Sequence, residues 1–528
     1  VSENTKPGSV LTKKKKGQHF QQNIITNRNY PFSWDNKTIG LFHLAFLYEA
    51  FKLERGKTEE TDAVINYLHI LVHTGIDPRE LLDVVVYDAT NSRFSIEIRQ
   101  IDDRYYILNP ALVNLVKPPQ ESSCLETSDK VYIPVPHSIA RYLPIRPADG
   151  KHLFSYLKSG SKVTRLSFDQ IEKFLGMLNN VYAVNQKVEE KYRHGLRISM
   201  KSIANAFFTV YSCHFGLDQL IACHISGRAH QELFGAHLHY IHIPHDLLER
   251  EYLRTFDLVH AGIHAVLADC SSHDLTRAKV SSAISQPSSV PNAINLPGYG
   301  SSSIPALSYL TKRITALRKA VMRERNIVKR HNLYSVYLYL AAQFATTLRP
   351  HEDAKPYWSQ YNPDSGMIVL NDKDSSKHHE ERVLPLPRRI RSLLDDLFRG
   401  RSDLIGFVRR NLCLSYQRRK LESIFLTVRE DGVYEHLTFD TIRKTFESLG
   451  LDYRVPMNMP RHYTRNYLYH YGIAHDIADM WMGHQRSGRE AFGVASSIQF
   501  QEAAKLCLTA IDSLLDEIGI KDVRYLPR

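Results

Sequence analysis

A serine- and proline-rich stretch at 271–305 constrains the fold of this chain more than any other feature. It holds few large apolar residues, while serine and proline recur along its whole length. A segment of this composition buries too little apolar surface to join a packed core, and proline interrupts regular hydrogen bonding. We therefore predict a linker at 271–305 with folded parts on either side.

The length of the chain favours the same division, because 528 residues exceed what one hydrophobic core normally organises. Shifts in composition and periodicity predict five segments. In chain order they are a basic tail at 1–30, an α+β module at 31–155, a helical domain at 156–270, the linker at 271–305 and a C-terminal domain at 306–528.

The chain is basic, with 68 Lys and Arg residues against 56 Asp and Glu residues and a net charge of +12. This balance favours a polyanionic partner, which from composition alone could be nucleic acid, an anionic membrane surface or an acidic protein. Part of the charge lies in one run of lysines, Lys13, Lys14, Lys15 and Lys16. The run is either a solvated tail or an arm that contacts DNA.

Several classes of protein are disfavoured by the same sequence. No stretch has the roughly 18 to 20 apolar residues that cross a bilayer, and no apolar run of a signal peptide follows the basic N-terminus. The 6 cysteines are scattered without a CxxC pair, which argues against a zinc ribbon or a disulfide framework. We therefore expect a cytoplasmic protein with reduced thiols and no membrane partner.

A run of histidines raises the question of a metal site. It consists of His237, His239, His242 and His245. No cysteine or carboxylate stands at ligand spacing inside the run, so we predict no metal there. We interpret these histidines as structural or as DNA-facing.

Local periodicity predicts the regular elements of the first half. Apolar residues recur at helical spacing in four segments, 40–54, 59–75, 167–181 and 200–214. Alternating apolar residues predict a hairpin at 93–108. Residues 130–136 form an expected edge strand, because Pro134 cannot donate a hydrogen bond to a neighbouring strand.

A long basic helix is expected after the linker. Four of its cations recur at helical spacing on one face, Lys312, Lys319, Arg323 and Arg330. A solvated helix face usually mixes charges of both signs. A dense face of one sign is more typical of a helix that follows phosphates, and we predict that role here.

Four short patterns carry the chemistry of the C-terminal part. In chain order they are ATTLRPHE at 345–352, a predicted hairpin at 366–387, PRHYTR at 460–465 and WMGH at 481–484. Each is weak when taken singly, because a lone Arg beside a Pro is usually a surface residue. A helix at the third pattern would direct His462 and Arg465 to the same side.

Together and in this order, the four patterns resemble the catalytic domain of the tyrosine recombinases, the family of phage integrases and site-specific recombinases. The resemblance covers roughly 305–528, and the first half of the chain carries no matching motif. It implies a mainly α fold with small β-hairpin sheets, in the α+β class. The catalytic domain would follow a helical, core-binding-like DNA-binding domain at 156–270 and an extra N-terminal module, which could itself bind DNA.

The resemblance implies that Arg349 and Arg465 bind the two non-bridging oxygens of the phosphate that is cut. This role suits arginine, because a guanidinium is planar, binds phosphate oxygens in pairs and stays protonated. Glu352 would orient Arg349 without touching DNA.

The resemblance assigns the remaining roles to one lysine and two histidines. Lys377, preferred over Lys373 because it lies eight residues before Pro385, would donate a proton to the leaving 5′-oxygen. His462 and His484 would hold the phosphate and manage the proton of the nucleophile. No metal or other cofactor is implied.

The nucleophile is where the sequence departs from the family pattern. The family places a tyrosine about two helical turns after the Gly-His pair, and here the nearest aromatic residue is Phe492. Phenylalanine lacks the hydroxyl that would attack phosphorus. The chain is therefore an engineered variant, a natural member that lost strand transfer, or a protein whose nucleophile lies elsewhere, with Tyr525, Ser496 and Ser497 as candidates.

The sequence thus predicts a site-specific DNA recombinase or integrase of a mobile genetic element. It would cut and rejoin strands through a 3′-phosphotyrosyl intermediate when the nucleophile is present. The alternative is an inactive DNA-binding or assembly factor on the same scaffold, and whether the chain is an enzyme stays open at this point. Expected partners are double-stranded DNA and further protomers, in a dimer or tetramer on DNA, and the expected location is a bacterial-type cytoplasm, associated with the nucleoid. An apolar helix at 500–518 would pack on its own domain or dock on a neighbouring protomer.

Overall fold

The computed structural model of the chain describes residues 39–86, 96–101, 104–111, 124–140, 152–158, 162–185, 198–228, 239–271, 296–350, 356–375, 378–412, 422–484 and 499–525. Within these residues the chain is mainly helical and carries small, mostly antiparallel sheets. This agrees with the predicted α+β class. None of the described helices is long and apolar enough to cross a membrane.

The chain divides into two compact units. The first comprises Val1–Leu115, Ser128–Leu238 and Ile243–Tyr299, and the second comprises Val116–Thr127, His239–His242 and Gly300–Arg528. Two short segments from the first half of the chain thus belong to the second unit, here called the C-terminal unit. The five segments predicted from composition stay predictions.

The first unit contains a four-stranded sheet flanked by helices. Its strands are, in sheet order, β1 (Val85–Val86), β2 (Glu97–Ile101), β3 (Arg104–Pro110) and β4 (Lys130–Pro134). Strands β2 and β3 form the predicted hairpin, with Ile98 opposite Ile107. Strand β4 lies at the edge of the sheet, as Pro134 predicts. A second hairpin pairs β5 (Ser155–Lys158) with β6 (Lys162–Arg165).

The helices of the first unit include the four that were predicted, at 40–54, 59–75, 167–181 and 200–214. They are α1 (Leu41–Glu54), α2 (Glu59–Thr74), α3 (Pro78–Leu82), α4 (His137–Ala140), α5 (Phe168–Asn185), α6 (Met200–Ala206), a π-helix (Phe207–His214), α7 (Gln219–Ser226) and α8 (His245–Ser271). Helix α2 illustrates how the local sequence sets both ends of a helix. The Thr58 side chain accepts from the backbone N–H of Thr61 at its start, and Gly75 ends it in the left-handed conformation.

The C-terminal unit is built around one buried helix. Its helices are α9 (Leu307–Arg323), α10 (Ile327–Thr346), α11 (Arg388–Leu412), α12 (Phe439–Ser448), α13 (Met459–His470), α14 (His475–Met482) and α15 (Phe500–Glu517). Helix α10 is buried nearly all round, which is typical of a helix at the centre of a domain. Helix α15 packs into the same core through Cys507, Ile511 and Leu514.

Three strands form the small sheet of the C-terminal unit, in the order β11-β10-β9. They are β9 (Tyr361–Asn362), β10 (Met367–Ser375) and β11 (His378–Pro385). Strands β10 and β11 form the predicted hairpin, with Val369 opposite Val383. The remaining short strands are β7 (His242–Ile243), β8 (Tyr299–Gly300), β12 (Leu426–Val428) and β13 (Tyr434–His436).

The single basic helix predicted over 312–330 is wrong. Helix α9 ends at Arg323, and α10 begins after Asn326, whose side chain accepts from the backbone N–H groups of Val328 and Lys329. An asparagine that bonds the next free N–H groups starts a new helix. Arg330 therefore lies on a different element from the other three cations.

The predicted linker is ordered at both of its described ends. Helix α8 continues to Ser271, and residues 296–305 include the fully buried Tyr299 and the nearly buried Ile304. Residues 272–295 lie outside the described part of the chain.

Candidate phosphate-binding site

Helix α13 supplies three of the charged or titratable side chains of the site. Arg461, His462 and Arg465 fall within its first two turns, and spacings of three and four residues direct side chains to one side of a helix. All three side chains are buried, with exposed fractions of 2%, 8% and 1%. Buried cations need acceptors, so their contacts define what the site can bind.

His484 reaches the site because α14 ends at a glycine. Gly483 has φ +69°, and the backbone N–H of His484 donates to the Asp479 carbonyl at 2.8 Å. This left-handed residue turns the chain back over the end of the helix, a conformation that a side chain at position 483 would disfavour. His484 is thereby placed beside Arg461, with 2.8 Å between Arg461 Nη2 and His484 Nε2.

Thr347 marks the end of α10 at the same place. Its φ is +53°, and among the described residues no other non-glycine residue has a positive φ. A β-branched residue in this region costs about 1–3 kcal/mol, so the surroundings must hold it there. The Thr347 carbonyl accepts from Arg461 Nη1 at 2.6 Å and from Arg382 Nη2 at 3.2 Å.

Arg461 joins the ends of two helices. Besides the Thr347 carbonyl it donates to the Met482 carbonyl at 2.6 Å, and its Nε donates to the Tyr240 hydroxyl at 3.3 Å. Carbonyls at helix C-termini carry partial negative charge and lack partners within the helix, so a guanidinium is a suitable partner.

Arg465, the predicted phosphate ligand, is engaged by neighbouring side chains. Its Nη2 lies 2.9 Å from His475 Nδ1 and 3.4 Å from Asp479 Oδ1, in a buried ion pair. The charge of Arg465 is thus partly balanced inside the protein. Its role at a phosphate stays a prediction.

Both predicted histidines are neutral at neutral pH. Burial, followed by nearby arginine charges, lowers the pKa of His484 to about 2, and these arginines are Arg461, Arg349, Arg465 and Arg382. Burial also lowers the pKa of His462 to about 3. The His462 ring is held by Ser301 Oγ at 2.9 Å and by Asn458 Nδ2 at 2.9 Å. Each neutral imidazole can hold a proton near neutral pH only when negative charge is added beside it.

Tyr240 reaches the cluster from a distant part of the sequence. Its ring lies 4.3 Å from the His462 ring and 5.3 Å from the His484 ring, centroid to centroid. Two hydrogen bonds from α13 hold the segment, one between the His242 N–H and Asn466 at 2.8 Å and one between His470 and the His242 carbonyl at 3.1 Å. We call Arg349, Arg382, Arg461, His462, Arg465, His484 and Tyr240 the arginine–histidine cluster.

The structure brings together four of the six residues predicted at the catalytic positions. Arg349, His462, Arg465 and His484 lie in the cluster, with Arg349 partly buried and near enough to act on the charge state of His484. Seven of the other predicted residues lie outside the described part of the chain, and they are Lys377, Phe492, Glu352, Lys13, Lys14, Lys15 and Lys16.

The predicted basic face is present in part. Lys312, Lys319 and Arg323 are exposed on α9. Arg330 is only 6% exposed, and its guanidinium donates to the carbonyls of Tyr525 at 2.6 Å and Arg524 at 2.9 Å. Arg330 therefore anchors the C-terminal segment and is withdrawn as a DNA contact.

Tyr525 is withdrawn as a nucleophile in its own subunit. Its side chain is 1% exposed, its hydroxyl lies 2.8 Å from His331 Nδ1, and burial raises its pKa far above the usual range. A buried, neutral phenol packed against α10 cannot reach a phosphate. The candidate serine nucleophiles, Ser496 and Ser497, lie outside the described residues.

Sequence reasoning missed three members of the cluster. Arg461 directly precedes His462, so a helical wheel of α13 would have placed it near His462. Arg382 stands in the RVLPLP strand, where alternation puts it inward. Tyr240 carries no local signal, because its partners are more than 220 residues away.

No protein-family model matches the chain, and no curated protein matches its sequence. Among solved structures it is similar to the integrase from mycobacterium phage Brujita, with 12% identity and a TM-score of 0.24 over 51% of this chain and 77% of that chain. It is also similar to XerA recombinase, with 10% identity and a TM-score of 0.23 over 68% and 99% of the two chains. The third is XerH site-specific recombinase bound to difH substrate in a pre-cleavage complex, with 14% identity and a TM-score of 0.23 over 64% and 84%. TM-scores this low do not support an inference about function. The function must be inferred from the residues of this chain.

Proposed function

We propose that this chain is a site-specific DNA recombinase or integrase of the tyrosine recombinase type, and that the arginine–histidine cluster binds the phosphodiester that is cut. The observation that carries the proposal is the position of His484, which lies 2.8 Å from Arg461 and within the electrostatic influence of three further arginines. Asp479 balances part of this charge through its ion pair with Arg465. A site rich in arginine charge favours an anion, and arginine forks suit phosphate oxygens.

The cluster suits a phosphodiester in the transition state better than a small anion. As phosphorus becomes pentacoordinate, negative charge grows on its non-bridging oxygens, and preorganised donors stabilise that charge without reorganising. The contacts of Arg461 to two helix ends and to His484 fix its charge in place before a ligand binds. The exposed cations Lys312, Lys319 and Arg323 would hold the duplex through neighbouring phosphates.

Strand cleavage further requires a nucleophile. Position 492 is the tyrosine position by resemblance, and Phe492 provides no hydroxyl. In the form with a tyrosine there, that side chain would attack phosphorus, form a 3′-phosphotyrosyl link and release a 5′-hydroxyl. Lys377 would protonate the leaving oxygen, and Glu352 would orient Arg349. The energy of the broken bond stays in the new link, so the reaction needs no nucleotide cofactor.

The alternative function is that of an inactive DNA-binding or assembly factor, and Phe492 is the observation that favours it. Both functions require duplex DNA at the cluster, and both allow a dimer or tetramer on DNA. They differ only in whether a covalent link forms.

The deciding experiment uses duplexes that the full-length chain enriches from a random-sequence pool. Nicked suicide substrates of the enriched sequence are incubated with the chain and with Phe492→Tyr, and adducts that resist SDS are measured. An adduct in Phe492→Tyr supports the recombinase function. An adduct in the unaltered chain as well would mean that a residue other than 492 attacks.

The control variant is Arg349→Ala in the Phe492→Tyr background. We expect adduct formation to fall by about 10²–10³-fold, the usual effect of removing one donor to a developing oxyanion. A chain that binds RNA or anionic membranes through its basic surface would retain its binding after Arg349→Ala and Arg465→Ala. Failure of every variant to bind any duplex would contradict both functions.

A further inference from the structure

The arginine–histidine cluster already contains a tyrosine hydroxyl. The hydroxyl of Tyr240 lies 3.3 Å from Arg461 Nε, and its ring packs on both catalytic histidines. The guanidinium carbon of Arg461 lies 5.8 Å from the centre of the same ring. A phenol at this place lies among the groups that we assign to the phosphodiester.

Tyr240 is also accessible. Its side chain is partly exposed, whereas Tyr463 of α13 and Tyr525 of the C-terminal segment are buried. The segment that carries Tyr240 is fixed on α13 by Asn466 and His470, so the position of the hydroxyl is built into the fold of the C-terminal unit. An attacking group must be both positioned and reachable, and Tyr240 meets both conditions.

We propose that Tyr240 is the nucleophile of this chain and supplies the hydroxyl that position 492 lacks. The inference rests on the proposed function, because it requires the cluster to hold a phosphodiester. It differs from the expectation drawn from the resemblance, which puts the nucleophile in the C-terminal stretch after His484.

The chemistry balances without a co-reactant other than solvent. A bond forms between Tyr240 Oη and phosphorus, and the bond between phosphorus and the 5′-oxygen breaks. The phenolic proton passes to solvent, which reaches the partly exposed Tyr240, and the 5′-oxygen takes a proton from solvent to leave as a hydroxyl. The Arg461 guanidinium stabilises the phenolate as its proton leaves. The 3′-phosphotyrosyl link is then open to attack by a 5′-hydroxyl.

The test uses the same suicide substrates with the unaltered, full-length chain. We expect an SDS-resistant adduct, and we expect mass spectrometry of its tryptic peptides to place the nucleotide on Tyr240. Tyr240→Phe should lower adduct formation by at least about 100-fold, because only the attacking oxygen is removed. The matched control is Tyr471→Phe, an exposed tyrosine outside the cluster, which should change it by less than about twofold.

Folding and function are separated by a second variant, Tyr240→Phe with Phe492→Tyr. An adduct in this double variant shows that the cluster remains intact without the Tyr240 hydroxyl. No adduct in the unaltered chain, with an adduct in Phe492→Tyr, overturns the inference and leaves the proposed function standing. An adduct of the unaltered chain that maps to another residue also overturns it. Absence of duplex binding in all variants removes the proposed function and this inference together.

Discussion

Two groups of tyrosine, histidine and arginine lie in the C-terminal unit, and they differ in what their arginine contacts. In the first group, Arg461 donates to the hydroxyl of a partly exposed Tyr240 beside His462. In the second, Arg330 donates to the backbone carbonyl of Tyr525, whose buried hydroxyl contacts His331. The first group is open to a ligand, whereas the second is closed around the end of the chain.

The comparison shows that residue types and shifted pKa values do not define a site by themselves. Burial lowers the pKa of His331 to about 3, as low as that of His462. What distinguishes the groups is the concentration of arginine charge around His484 and the exposure of Tyr240. A perturbed histidine therefore indicates function only where arginine charge and an accessible side chain accompany it.

The largest expected effect concerns Arg465, whose charge is partly balanced by Asp479. Asp479→Asn removes the acid of a buried ion pair, and this should lower the free energy of unfolding by about 3–5 kcal/mol. Asp516→Asn is the matched control, because Asp516 pairs with Arg389 at the surface and its loss should cost about 0–1 kcal/mol. Urea unfolding followed by tryptophan fluorescence measures both, because Trp481 is buried in the folded unit. Equal losses of stability in the two variants would show that the pair of Arg465 with Asp479 does not stabilise the fold.

The next effect separates the two groups directly. Arg461→Lys in the Phe492→Tyr chain should slow adduct formation by about 10²–10³-fold, because an ammonium group cannot reproduce the planar fork. Arg330→Lys should lower stability and leave adduct formation within about threefold, since it acts only on the C-terminal segment. Equal slowing by the two variants would mean that the groups do not differ in function.

A smaller effect tests the histidines through acid stability. An unfolded histidine binds a proton below about pH 6.5, and folded His331 and His484 do so only near pH 3 and pH 2. The free energy of unfolding therefore falls by about 1.4 kcal/mol per pH unit for each of these histidines as the pH falls below 6.5. When unfolding is measured without DNA, His331→Gln and His484→Gln should each remove one such contribution from the slope of unfolding free energy against pH.

Duplex DNA should change the contribution of only one of the two histidines to the pH dependence of unfolding. Bound phosphate favours the protonated imidazole of His484 and leaves the buried His331 unaffected. The duplex should therefore reduce the contribution of His484 alone. If the duplex changed both contributions, or neither, the two groups would not differ in their access to phosphate.

The smallest effect concerns the closed group. Tyr525→Phe removes one hydrogen bond to His331 and should cost about 1 kcal/mol of unfolding free energy. Adduct formation should stay unchanged within error, in contrast to Tyr240→Phe. Loss of the adduct in Tyr525→Phe would restore the C-terminal tyrosine as a candidate nucleophile.

Local patterns predicted the elements of the fold and about half of the site. The helices at 40–54 and 59–75 and the hairpins at 93–108 and 366–387 follow from periodicity and turn residues, which act over a few positions. The break at Asn326 has the local sequence of a helix cap, but the run of basic residues on both sides of it favoured one continuous helix.

The remaining features of the site depend on contacts between distant parts of the chain. Arg465 belongs to the expected motif, yet its pairing with Asp479 depends on how α14 packs against α13. Tyr240 lies outside every motif and joins the cluster only because Asn466 and His470 hold its segment. No spacing rule within one segment contains that information, so these contacts had to be seen in the folded chain.

The most direct test of the central claim measures coupling between one arginine and one phosphate. Each phosphate of the enriched duplex is replaced in turn by an uncharged methylphosphonate, and duplex affinity is measured for the chain and for Arg461→Gln. At one phosphate, we expect the replacement to weaken binding to the unaltered chain by about tenfold or more, because the fixed charge of Arg461 then loses a phosphate charge beside it. The same replacement should weaken binding to Arg461→Gln by less than about twofold. Equal losses in both proteins at every phosphate would contradict the assignment of the arginine–histidine cluster as the phosphodiester site.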